Sequence, residues 1–151
     1  MANNTLPILE AVGQQLAAIR LAAGFNTDIG ANIYLDDRQR SGHERPSICI
    51  GARAGRIDRT DERAGNGRAL AAKARGMDLI IEAAVTAGAE EAHAAGHDML
   101  EDIERAFGIR TCAAPLGVIG VRLDTWQILD RPDGIDAAVL QILGSVDYVR
   151  K

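Results

Sequence analysis

A chain of 151 residues has room for one ordinary domain and can bury most of its apolar surface without disulfide or metal staples. Hydrophobic residues supply 47% of it but aromatics only 3%, so Ala, Val, Ile and Leu must fill the core, and so thin a core gains from association. The net charge of -4 is uneven: residues 51–76 carry seven Arg or Lys against three Asp or Glu, near +4, and the remainder is near -8, which points to a basic segment facing an acidic surface, a neighbouring subunit or nucleic acid.

The opening MANNTLPILE lacks the basic start and apolar run of a secretory signal, and no run of about 18 apolar residues follows, so a soluble, cytoplasmic product with no membrane partner is expected. Ile8, Val12, Leu16, Ile19 and Ala23 then recur at helical spacing, with Thr5 as N-cap, Pro7 in the first turn and Gly24 as the left-handed stop. Asn26, Thr27 and Asp28 have side chains that bond their own backbone in tight turns, and Gly30 leads into a short strand, Ala-Asn-Ile-Tyr-Leu. A second strand is expected over Ser47–Gly51. The Gly-, Arg- and Asp-rich residues 52–76 show neither period and are read as a long, exposed, partly mobile loop.

Met77, Leu79, Ile81, Ala83 and Val85 alternate with Asp78, Ile80 and Glu82, as in a strand with one buried face. Thr86 is placed as the cap of a helix from about Gly88 to Phe107. Its apolar stripe is Ala92, Gly96, Met99, Leu100, Ile103 and Phe107, with Glu90, Glu91, Asp98, Glu101, Asp102 and Arg105 outside it or on its borders. Two long strands follow, Gly117–Leu129 and Ala138–Val149, around the turn residues Arg131, Pro132, Asp133 and Gly134. This order predicts a single α+β domain over residues 1–151, with a mixed, largely antiparallel sheet of about five strands and two helices on one face.

Chemistry-bearing patterns are sparse. His93 and His97, four apart on a helix near Glu90, Asp98 and Glu101, have zinc-ligand spacing, but Ala94 stands where a metalloprotease motif has Glu, and the pair falls on the solvated margin of the stripe. GNGRAL at Gly65–Leu70 has only two glycines of a dinucleotide fingerprint and no strand before it, and GARAGRID lacks the ending of a phosphate loop. No serine sits in GxSxG, and His43 has no pattern that makes it a base. Cys49 and Cys112 lack CxxC spacing and are read as buried reduced thiols. The expectation is a protein that is not an enzyme and has no cofactor and no metal.

The basic segment remains: Arg53, Arg56, Arg59, Arg63, Arg68, Lys73 and Arg75, broken by Asp58, Asp61 and Glu62. No aromatic residue lies between Tyr34 and Phe107 to stack on bases, so sequence-specific nucleic-acid reading is not expected. A solvated loop, a partner-binding loop for an acidic protein surface and transient phosphate contact all stay open.

The amphipathic N-terminal helix, the GFNTDIG stretch, the short strand ending near Arg38 and the closing PDGIDAAVLQILGSVDYVRK together resemble the tail terminator, or tail completion, proteins of long-tailed bacteriophages. The likeness covers the beginning and end of the chain and the order of elements between them. It implies a virion subunit of the tail-neck region, made in the host cytoplasm, that forms a ring, expected to be a homohexamer, on the last tail-tube ring. Its partners would be itself, the tail tube protein and a head-tail connector or stopper protein, with genomic DNA threading the ring unread. Another head-tail connector or neck subunit is the competing structural class, and a small metal- or nucleotide-binding enzyme the competing chemical one.

Overall fold

The structure, a computed structural model, describes residues 5–35, 46–57, 73–109, 118–129 and 136–150. These contain helix α1 (Thr5–Leu16), strands β1 (Ile33–Leu35), β2 (Ser47–Ile57) and β3 (Lys73–Thr86), helix α2 (Ala92–Ile109) and strands β4 (Val118–Leu129) and β5 (Ala137–Arg150). The strands form one sheet in the order β1-β2-β3-β5-β4, in which β1 runs parallel to β2 and all other neighbours are antiparallel. With both helices packed against it, the fold is α+β, as the pattern of elements predicts.

Alternation decides which side of the sheet meets the helices. Ile48 and Ile50 of β2, Leu79, Ile81 and Ala83 of β3, and Leu140 and Ile142 of β5 lie in register and join one core cluster with Ile8, Val12 and Leu16 of α1 and Met99 and Ile103 of α2. The partners in between turn to the second face: Cys49 beside Glu82, Glu82 beside Gln141 and Ile80 beside Leu143. The predicted aliphatic core is what is found, with Phe25 the one aromatic buried in it among the described residues.

Several boundaries differ from those expected. The segment read as a loop from 52 is strand at both ends: β2 continues to Ile57 and β3 begins at Lys73, with Arg56 opposite Gly76 and Ile57 opposite Arg75 after a register shift between Ala52 and Gly55. Gly is a poor strand former, so the strand state of these ends comes from pairing: β2 and β3 pair as far as Ile57↔Arg75, and β5 continues alongside β3 as far as Lys73↔Arg150. Residues 58–72 lie outside the described residues, as do the predicted turn at 131–134, Cys112 and His43. Thr86 does not cap α2. It is the last residue of β3, paired with Ala137, and the turn into α2 is closed by the Glu91 N–H donating to Gly88 O at 3.1 Å.

Gly24 does not end α1 either. The helix stops at Leu16, Arg20 is extended, and a separate 3₁₀ turn over Leu21–Ala23 follows. Gly24 caps that turn with φ of 89°, and its N–H donates to Leu21 O at 3.0 Å. The end of α1 is instead met by Gly30, whose N–H donates to Ile19 O at 3.0 Å. A methyl carbon at Gly30 would stand 2.6 Å from both Leu16 O and Ile19 O, so only glycine allows this approach.

Asp102 of α2 holds the same stretch from the other side. The sequence placed it on the border of the helix stripe, yet it is fully buried. Its Oδ1 accepts the Asn26 N–H at 2.9 Å and its Oδ2 accepts the Thr27 hydroxyl at 2.6 Å. Arg105, one turn on, donates to Gly24 O at 3.1 Å and lies 4.6 Å from the centre of the Phe25 ring, while Asp28 Oδ1 accepts the Leu21 N–H at 2.7 Å. Gln15 of α1 completes the link by donating to Ala106 O, one of the carbonyls that the C-terminal turn of α2 leaves without a helical partner.

Two stability outcomes follow from this joint. Asp102→Ala removes the acceptor of two hydrogen bonds from a buried position and should lower stability by about 2 kcal/mol, with faster amide exchange at Asn26 and Thr27, as read by urea unfolding and hydrogen exchange. Gly24→Val forces a β-branched residue into the left-handed region and should cost about 1 kcal/mol or more; an unchanged melting midpoint would contradict that strain.

Candidate functional site

The stretch GFNTDIG has the composition of a ligand loop, but its polar groups are used internally. Asn26 N–H and Thr27 Oγ1 bond Asp102, Asp28 bonds Leu21, and Gly30 bonds Ile19. What the arrangement does is join α1, α2 and the start of β1. Residues 51–57, GARAGRI, are likewise a paired strand and do not form a phosphate-cradling turn.

Of the seven basic residues singled out in the sequence, Arg53 and Arg56 lie on β2, and Lys73 and Arg75 on β3. The antiparallel pairing brings these four to one end of the sheet, at the register positions around Arg56↔Gly76 and Ile57↔Arg75. Arg59, Arg63 and Arg68 fall outside the described residues.

His93 and His97 project from α2 as exposed residues with ring centres 5.8 Å apart, and the edge contact of His97 is with Trp126 of β4 at 5.5 Å. Among the described residues no group of three or more His, Cys, Asp or Glu is placed to hold a metal ion, and no helix is long and apolar enough to cross a membrane. Cys49 is buried on the second face of β2.

Two surfaces remain that sequence reasoning did not single out. The first is the second face of the sheet, on which no described helix packs. A polar row crosses three strands there, with Gln127 Nε2 donating to Gln141 Oε1 at 2.6 Å and Gln141 Nε2 donating to Glu82 Oε1 at 3.1 Å. Further along, Arg122 donates to Ser145 Oγ at 3.1 Å, and Leu143 stands between these two polar groups, 44% exposed.

The second is a cleft of about 400 Å³ between α2 and the edge strand β4, lined by Leu100, Glu104, Leu123, Asp124, Trp126 and Ile142. Gly96 lets α2 settle onto β4 beside it, because a methyl carbon there would lie 2.7 Å from Ile128 Cδ1. The wall of the cleft is the only tryptophan of the chain, 48% exposed, and two carboxylates flank it. The β4 backbone shifts register between Leu123 and Thr125, and Asp124 is the additional residue of that bulge.

Compared with models of known protein families the chain matches none, and no curated protein matches its sequence.

His93→Ala combined with His97→Ala should leave stability within about 0.5 kcal/mol of the parent, because both rings are exposed, while Trp126 fluorescence changes as the His97 edge is withdrawn. Thermal melts and emission spectra of the double variant check both halves of this expectation.

Proposed function

We propose that this chain is a structural subunit of a long-tailed bacteriophage, one that forms a ring on the end of the tail tube, stops tube polymerisation and offers the surface on which the head is joined. The observation that carries the reading is the second face of the sheet together with the β4 edge: exposed Leu143 set between polar side chains, beside a 12-residue strand with no further described neighbour. Exposed sheet edges and apolar side chains of this kind are removed from solvent when subunits close into a ring.

The two segments that carry the family resemblance also have structural work to do here. GFNTDIG is the joint between the helices and the sheet, and most of PDGIDAAVLQILGSVDYVRK is β5, the strand between β3 and β4. A chain whose most distinctive residues are used for internal architecture suits a building block better than a catalyst. In the ring, the subunit would meet copies of itself, the tail tube protein on one side and a head-tail connector or stopper on the other, with DNA passing through and no bases read.

Electron microscopy of the purified protein, alone and mixed with growing tail tubes, tests the reading. Rings of about six subunits and tubes capped at one end are the expected images. Tubes that continue to lengthen in the presence of excess protein would overturn it.

A further inference from the structure

We propose that His93 and His97 of α2 form an open two-imidazole site for a divalent transition-metal ion, with copper(II) held most tightly. Residues four apart on a helix share one face, and there the two rings stand with centres 5.8 Å apart. A metal ion bound to an imidazole nitrogen at about 2 Å stands about 3 Å from the ring centre, so two rings on one ion have centres about 5–6 Å apart. The separation in the protein is already in that range. Both side chains are exposed, so the small rotations that aim one nitrogen of each ring at a shared ion meet little packing.

The surroundings favour a cation. Glu90 precedes α2, Asp98 and Glu101 lie on it, all three are exposed, and Glu101 is one turn after His97. Arg105, the one Lys or Arg of α2, is engaged elsewhere, by Gly24 O and the Phe25 ring. Among the described residues no group of three or more His, Cys, Asp or Glu is formed, so water completes the coordination. A structural zinc site, closed by four protein ligands, is a different arrangement, and an open imidazole site follows the usual order in which copper(II) exceeds nickel(II) and zinc(II). The sequence expectation of no metal turned on Ala94, which stands where a metalloprotease carries its general base, whereas chelation needs only the two rings.

Trp126, the sole tryptophan, reports on the site. His97 meets its ring at 5.5 Å, so an ion on His97 lies within about 9 Å of the indole, close enough for copper(II) to quench its emission. The test titrates the full chain, purified without a polyhistidine tag, with copper(II) against glycine as a competing chelator. One ion per chain should bind, most of the Trp126 emission should be lost, and the electron paramagnetic resonance spectrum should show the nitrogens of two imidazoles. His93→Ala and His97→Ala should each weaken binding by about tenfold or more, because each leaves one ring where two were held together. Nickel(II) and zinc(II) should bind the parent more weakly than copper(II). His43→Ala, at the one other histidine of the chain, should leave the affinity unchanged. Circular dichroism confirms that each variant is folded.

A parent that binds no stoichiometric copper(II), a His93→Ala variant with the parent's affinity, or loss of the site in His43→Ala would overturn the proposal. So would quenching accompanied by a single-imidazole spectrum, which marks an adventitious ion only. None of these outcomes bears on tube capping, which the ring reading predicts on its own.

Discussion

The carboxylate of Asp102 is the constraint on which the helix layer depends. α1 and α2 lie far apart in sequence, and the chain must turn from α1 into the short strand β1 at the edge of the sheet. A buried carboxylate that receives one backbone N–H and one hydroxyl from that turn fixes the turn against α2, and Gln15 ties α1 to the end of the same helix. An acidic group without such donors would be costly in this position, so the burial of Asp102 and the geometry of Asn26 and Thr27 require each other. Gly30 works in the same direction by letting the returning chain touch the carbonyls at the end of α1.

With the helices held on one face, the two sides of the sheet differ in character. The core side is aliphatic, while the second side mixes small buried residues such as Ser47, Cys49 and Ala84 with the row formed by Glu82, Gln141 and Gln127. Hydrogen-bonded amides along that row keep it in one arrangement without making it apolar. A surface of this composition is mixed in polarity, as whole interfaces between proteins that fold before they associate also are.

Much of this was legible in the sequence, and what was not has identifiable causes. Period-two alternation from Met77 to Val85 locates β3 and its buried face, and helical spacing locates the inward side of both helices, because burial acts directly on those patterns. The run from Ala17 to Ala23 is ambiguous: its apolar residues continue the helical spacing, but Arg20 is extended and only Ile19 of the later stripe positions enters the core. The outer ends of β2 and β3 were hidden for another reason, since pairing with each other and, for β3, with β5 rather than local propensity makes them strands. Asp102 could have been found. It lies three residues after Met99 and four before Ala106, within the inward stripe, and its polarity drew it outward only because its partners are more than 70 positions away. The cleft had no such signal, as α2 and β4 meet only in three dimensions.

The strand order has a consequence for how the chain reaches this state. β5 follows β4 in sequence yet stands between β4 and β3, so β4 has no described strand to pair with until β5 is in place. The β3–β5 partners are 51 positions apart at their closest, Thr86 with Ala137, and 77 at their furthest, Lys73 with Arg150. Closing loops of that length must precede any reward from the longest ladder in the sheet. The sheet therefore cannot be completed by adding strands in chain order. Pairings of such sequence separation are the kind that slows folding. Until β5 is in place the inner edge of β3 is open, and an open edge of that length is a template for pairing with the same strand of another chain.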